Sequence, residues 1–203
     1  MPPPDTGRIL VTGGGGFIGS HIVRELLARG RDVAIFGRGE LSPEARFILG
    51  PAAAAIPLEV GSVEDLPRVM AAVQRLRPQA IVHAAGSVDT GGLLRNPYLA
   101  SRAILDGTLN VFEAARLFDV QRVVYLSSIG VLPTIQYQPI DATHPLVLTR
   151  EGPGSGAYGA AKAAGELFSF AYEQAYGLDV RTIRPSAAYG FGMRWHSANY
   201  MKQ

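Results

Sequence analysis

A short apolar run, residues 8–12 (Arg-Ile-Leu-Val-Thr), leads directly into Thr12-Gly-Gly-Gly-Gly-Phe-Ile-Gly19. Gly13, Gly16 and Gly19 satisfy the spacing G-x-x-G-x-x-G, and Gly14, Gly16 and Gly19 satisfy G-x-G-x-x-G. Beyond them Ile18, Ile22 and Leu26 recur every four residues up to Gly30, the period of a helix with a glycine stop. Glycines let the chain turn tightly and let its backbone approach a bound group closely. The helix that follows offers free N–H groups and the positive end of its dipole, with Phe17 and Ile18 in its opening turn. Strand, glycine turn and helix in this order make a cradle for the diphosphate of a dinucleotide.

The rest of the chain repeats the alternation. Strands are predicted at 8–12, 33–36, 56–60, 80–83, 122–127 and 180–184, and helices at 17–29, 64–76, 97–118 and 156–176. Residues 52–55, an alanine run after Pro51, read as loop or frayed helix. The strands are near-continuously apolar rather than alternating, which means that both sheet faces are covered. Six such strands joined by helices predict an α/β fold, a doubly wound parallel sheet of Rossmann-like type. Residues 130–156 form a long irregular stretch with Pro133, Pro139, Pro145 and Pro153. The 203 residues are 47% hydrophobic, which excludes a disordered chain, and the absence of cysteine excludes a disulfide scaffold and a thiolate site. A net charge of +2 without a basic run argues against nucleic acid. No apolar stretch approaches the ~18–20 residues of a membrane span, and no signal peptide opens the chain, so a cytoplasmic protein is expected.

The end of the second strand selects the cofactor: an acid there binds the ribose hydroxyls of NAD, whereas an arginine accommodates the phosphate of NADP. Here the strand ends Ile35-Phe36-Gly37-Arg38, with Asp32 before it and Glu40 beyond the turn. NAD(P) is expected, with Arg38 tilting the choice slightly towards NADP. Tyr158 and Lys162 stand at i and i+4 and share one helix face. A nearby ammonium favours phenolate, so Tyr158 can exchange a proton with a substrate hydroxyl or carbonyl, while Lys162 also holds the nicotinamide ribose. Ser127 and Ser128 end the fifth strand, at the sheet edge where such folds bind ligands.

With His83-Ala84-Ala85, Gly107-Thr108-Leu109-Asn110 and Arg184-Pro185…Tyr189-Gly190, these motifs resemble the extended short-chain dehydrogenase/reductases, the NAD-dependent epimerase/dehydratase family, from Arg8 to about Gly192. The resemblance implies a catalytic triad of Ser128, Tyr158 and Lys162. It also implies cofactor contacts from Ala84, Ala85 and Pro185, and adenine contacts from Ser62 and Val63, with Ser62 in the place of the family's usual Asp. Departures from the family pattern bear on the substrate. Ile104 and Ala187 stand where the family often has Asn, the second of which contacts the diphosphate of nucleotide sugars. Ile129-Gly130 replaces the Asp-Glu pair of the 4,6-dehydratases.

The reading that results is an NAD(P)-dependent oxidoreductase or epimerase acting on a hydroxyl/keto carbon of a sugar-like or other small polar substrate. The alternative is a non-catalytic dinucleotide-binding or redox-sensing module. No metal is expected, since His21, His83, His144 and His196 lack ligand spacing. His83 is expected to be structural and His144 solvated, and Tyr189, Trp195 and Tyr200 are read as packing aromatics. The 97–118 helix carries two apolar stripes: Leu105, Leu109 and Phe112, and Ile104, Val111, Ala115 and Phe118. One stripe would cover the sheet; the resemblance implies that the other, with the 156–176 helix, forms a homodimer interface. Family members normally continue past Tyr189-Gly190 into a substrate domain. The expectation is therefore one NAD(P)-binding domain over residues 1–203, truncated at its C-terminus.

Overall fold

The computed structural model describes residues 7–86, 96–132, 134–147 and 156–193. Pro133, Pro153, Trp195, His196 and Tyr200 lie outside the described residues. Six strands, β1 (Ile9–Thr12), β2 (Val33–Gly37), β3 (Leu58–Val60), β4 (Ala80–His83), β5 (Arg122–Leu126) and β6 (Asp179–Ile183), form one sheet in the order β3-β2-β1-β4-β5-β6. Every pairing is parallel, with Leu10 opposite both Ala34 and Ile81. The chain therefore runs outward from β1 to one edge, returns, and runs outward to the other. The crevice lies where those directions part, at the carboxyl ends of β1 and β4.

The two sheet faces sort by strand parity. Leu10, Ala34, Phe36, Ile81, Val123 and Tyr125 belong to the larger core, which α3 (Leu66–Leu76) and α4 (Pro97–Leu117) cover with Val69, Val73, Val111 and Phe112. Ile9, Val11, Val33 and Ile35 form the second core with α1 (Phe17–Ala28) and α2 (Pro43–Leu49). On that second face Ile183 stays 50% exposed. The last helix, α5 (Gly156–Tyr176), packs against α4 and comes down onto β5 at Gly165. A Cβ there would lie 2.5 Å from the Tyr125 hydroxyl, so a glycine is what allows the helix this close.

Local signals place the helix ends. Asp65 and Asn96 cap α3 and α4, their side chains accepting from Arg68 N at 3.2 Å and Leu99 N at 3.1 Å. Gly30 and Gly177 follow α1 and α5 with positive φ. The sequence reading contains no helix at Pro43–Leu49, yet its start is spelled out: Ser42 Oγ accepts from Ala45 N at 3.2 Å and Pro43 stands in the first turn. Residues 52–55 fall at the end of a 3-10 turn, Gly50–Ala54.

One expectation is corrected. His144 is buried, not solvated: its Nε2 accepts from Gln136 N at 3.0 Å and its ring lies 4.7 Å from that of Tyr137. Of the two stripes of α4, the one with Ile104, Val111 and Ala115 is turned inward: Ile104 packs with Ala161 and Tyr158 of α5, and Val111 and Ala115 lie in the main core. The large apolar side chains that α4 and α5 leave exposed are others, among them Leu99, Leu167, Phe168 and Phe170.

Candidate active site

The glycine turn is built by close backbone contacts. Gly13 has φ +72°, and a Cβ on it would sit 2.8 Å from the backbone of Ala85. Gly19 rests on the turn itself, where a Cβ would lie 2.1 Å from Gly13 O. Both positions exclude any side chain. Gly16 is the N-cap of α1; it is exposed and supplies no side-chain cap, and no acid stands in the first turn. The opening N–H groups beside Phe17 and Ile18 therefore present uncompensated positive charge at the carboxyl edge of the sheet.

A buried chain of hydrogen bonds ties this turn to the next strand and to α4. Ala85 N donates to Thr12 Oγ1 at 3.3 Å, and Thr12 Oγ1 lies 2.7 Å from His83 Nδ1. On the other side His83 Nε2 lies 3.1 Å from Thr108 Oγ1, which gives its own proton to Ile104 O at 2.6 Å. Thr108 can then only accept, so the His83 proton sits on Nε2 and Thr12 donates to Nδ1. Burial, aided by the charge of Lys162, pulls the His83 pKa down to about 3, in keeping with a neutral ring. His83 is structural, as expected. The partners of Gly107-Thr108-Leu109-Asn110 had no signature in the sequence. A Cβ at Gly107 would meet Val63 Cγ2 at 2.6 Å, and Asn110 Nδ2 donates to Val63 O at 2.8 Å. Val63 is thus locked under the loop after β3, while Ser62 stays half-buried and accepts from Glu64 N at 3.3 Å.

At the end of β2, Arg38 is exposed between Gly37 and Gly39, where an added Cβ would meet nothing within 4 Å. Both neighbouring acids are engaged: Asp32 with Arg8 at 2.9 Å and Glu40 with Arg46 at 3.0 Å.

On α5, Tyr158, Lys162 and Glu166 follow one another at one-turn spacing. Tyr158 is half-buried beside Ile104 and Ala161. Lys162 is only 4% exposed; its Nζ donates to Leu126 O at 2.6 Å, lies 5.0 Å from the centre of the Tyr125 ring, and passes close to Gly86. The amine therefore sits at the carboxyl ends of β4 and β5. Burial draws its pKa down to about 8, with Glu166 acting in the opposite direction. The two serines after β5 part company. Ser127 is buried and bonds to Glu166 Oε1 at 2.5 Å. Ser128 is half-buried; its Oγ accepts from Gly130 N at 3.0 Å, leaving its proton free to be donated. Pro185 closes this corner, its carbonyl accepting from Ile129 N at 2.9 Å, while Ala84 N donates to Thr12 O at 3.1 Å. The structure thus brings Gly13, Ala85, Lys162 and the residues around Ser128 to one sheet edge, with Arg38 and Ser62 on the β2–β3 side.

Among the described residues no cluster of three His, Asp or Glu could hold a metal, and no helix is long and apolar enough to cross a membrane.

Comparison with known proteins agrees with this architecture. The chain is 31% identical over 194 residues to the UDP-glucose 4-epimerase of Mycolicibacterium smegmatis, covering 90% of this chain and 56% of that one. The crystal structure of the Thermus thermophilus UDP-glucose 4-epimerase in complex with NAD superposes with a TM-score of 0.74 at 33% identity, over 87% of this chain and 54% of that one. The UDP-N-acetylglucosamine 4-epimerase of Methanobrevibacter ruminantium M1, in complex with UDP-N-acetylmuramic acid, gives 0.73 at 26% identity, over 88% and 54%. The chain spans about half the length of the curated relatives it matches. With residues 9–202 matching the family profile, this chain belongs to the NAD dependent epimerase/dehydratase family.

Proposed function

We propose that this chain carries the dinucleotide site and the proton-transfer residues of an NAD(P)-dependent epimerase or oxidoreductase acting on a sugar carbon that passes between hydroxyl and ketone. The observation that carries this reading is the buried amine of Lys162, bonded to Leu126 O at the carboxyl edge and one helical turn from Tyr158. The residues present fit a dinucleotide. The open N-terminus of α1 and the side-chain-free turn at Gly13, Gly16 and Gly19 suit a diphosphate, Ser62 and Val63 the adenine end, and Ala84, Ala85 and Pro185 the nicotinamide end. When bound, the nicotinamide supplies hydride exchange with the substrate carbon.

The side chains do the rest. Lys162 holds a ribose hydroxyl and places a positive charge beside Tyr158. A phenol with an ordinary pKa of about 10 is a poor base at neutral pH, and a cation within a few ångströms favours its ionised form. Tyr158 takes the proton of the substrate hydroxyl and returns it when the ketone is reduced. Ser128 donates its free proton to the same oxygen and keeps it in line. The epimerase relatives favour a sugar nucleotide as substrate, whereas Ala187 removes one amide expected at the substrate diphosphate. Arg38, with both nearby acids in ion pairs, favours NADP, and Leu167, Phe168 and Phe170 on α5 supply apolar surface for a homodimer.

The test is Tyr158→Phe, assayed with a panel of UDP-sugars and simple ketoses by nicotinamide absorbance for net oxidoreduction and by chromatography of the sugars for epimerisation. Turnover should vanish while cofactor affinity stays nearly unchanged. Undiminished activity in that variant would reject the assigned role. Tight cofactor binding without turnover in the parent protein would instead favour a dinucleotide sensor.

A further inference from the structure

Lys162 and Glu166 stand at i and i+4 on α5, and both are buried, at 4% and 1% exposure. Side chains so spaced are neighbours on the helix surface. The carboxylate is also held from two strands. Ser127, after β5, donates to Oε1 at 2.5 Å; Arg184, after β6, gives Nε to Oε1 at 3.0 Å and Nη2 to Oε2 at 2.7 Å. The remaining Arg184 nitrogen, Nη1, donates to His144 O at 3.0 Å, so the guanidinium cannot swing away without breaking its bonds to both Glu166 and His144. Among the described residues, the other groups around Lys162 bring no carboxylate. On α5 there is the phenol of Tyr158, on β5 the ring of Tyr125, on β4 the neutral imidazole of His83, and after β6 the cation Arg184.

We propose that Glu166 is a positioning residue, the fixed counter-charge that keeps the buried Lys162 an ammonium. Glu166 serves two cations at once, one by direct bonds and one through its field. Ser127 and Arg184 saturate its oxygens, so the carboxylate holds its place without a bond to the lysine. Lys162 remains free to turn its protons to Leu126 O and to a ligand. Without that charge, two cations would share a dry pocket and the amine would shed its proton first, since burial already draws it down to about 8 and Glu166 acts upward. The consequence for catalysis rests on the roles proposed above for Tyr158 and Lys162; the charge state of the amine does not.

The sequence makes the test direct, because it contains two lysines, Lys162 and Lys202. In this 203-residue chain carrying Lys202→Arg and labelled with 13C-lysine, one side-chain signal remains, and its titration reports Lys162 alone. With Glu166 intact the midpoint should lie above neutrality, at about 8. Adding Glu166→Gln, which keeps the size and an acceptor for Ser127, should lower the midpoint by about one to three pH units. Glu166→Asp, which restores a charge, should recover part of the loss. An unchanged midpoint in a folded Glu166→Gln protein overturns the proposal. So does an uncharged Lys162 at neutral pH with Glu166 present, a result that needs no Glu166 variant to fold. The catalytic reading fails separately: active Tyr158→Phe would sink it and leave the lysine titration standing.

Discussion

Thr108→Val is a near-isosteric change that tests whether the buried chain through His83 holds the cofactor edge together. The valine fills the same volume, so what changes is polar. With Thr108 gone, the His83 Nε2 proton has lost its acceptor at 3.1 Å inside the core. The imidazole could move its proton to Nδ1 and donate to Thr12. Thr12 Oγ1, which already accepts from Ala85 N, would then lose the acceptor for its own proton. Either way one buried donor goes unpaired, at a cost of about 1–3 kcal/mol. For a domain of this size each kcal/mol lowers the melting temperature by roughly 2–4 °C, so a fall of roughly 2–12 °C is expected. Differential scanning calorimetry measures it. Thr108→Ser, which keeps the hydroxyl, should retain most of the parent stability. If Thr108→Val melts at the parent temperature, the chain carries no strength and the tautomer assigned to His83 is wrong.

The same histidine sets a pH dependence. Its folded pKa, about 3, lies below the ordinary value of 6.5, so the unfolded chain binds the proton first as pH falls. Its contribution is complete above 6.5, declines between 6.5 and about 3 at up to roughly 1.4 kcal/mol per pH unit, and levels off below that. Urea melts across this range should show the slope, and His83→Gln should flatten it. The two serines should separate cleanly: Ser127→Ala should lower stability by about 1–3 kcal/mol through the Glu166 bond, while Ser128→Ala should spare stability and cut turnover. Arg38→Asp should weaken NADP binding and spare NAD, as read by cofactor fluorescence; equal NADP affinity would count against the phosphate role. Leu167→Glu with Phe170→Glu should convert a homodimer to monomer in light scattering, and an unchanged mass would remove α5 from the interface.

Much of the architecture could be read along the chain because its signals are local. A short apolar run that ends in glycines, such as residues 9–12, reads as a strand covered on both sides, and Gly30 ends a helix. The helix at Pro43–Leu49 was equally legible from Ser42 and Pro43; the absence of a long apolar period hid it. The dinucleotide turn was visible for the same reason, since its glycines all fall within residues 13–19.

Sequence alone could not say which hydroxyl of Ser127 and Ser128 is spent on structure, because that depends on Glu166 arriving from a helix 39 residues later. Nor could it show that Thr12, His83 and Thr108 form one line, since their separations of 71 and 25 residues have no period. His144 reads as solvated from its polar loop and becomes buried once Tyr137 and Gln136 close over it. The order of apolar runs and glycines therefore determined the sheet, its direction and its ligand edge, because backbone conformation and apolar patterning are decided within a few neighbouring residues. Which side chains are left charged, bonded or free at that edge was decided only when distant segments met, because a buried proton belongs to whichever partner the fold brings within hydrogen-bonding reach.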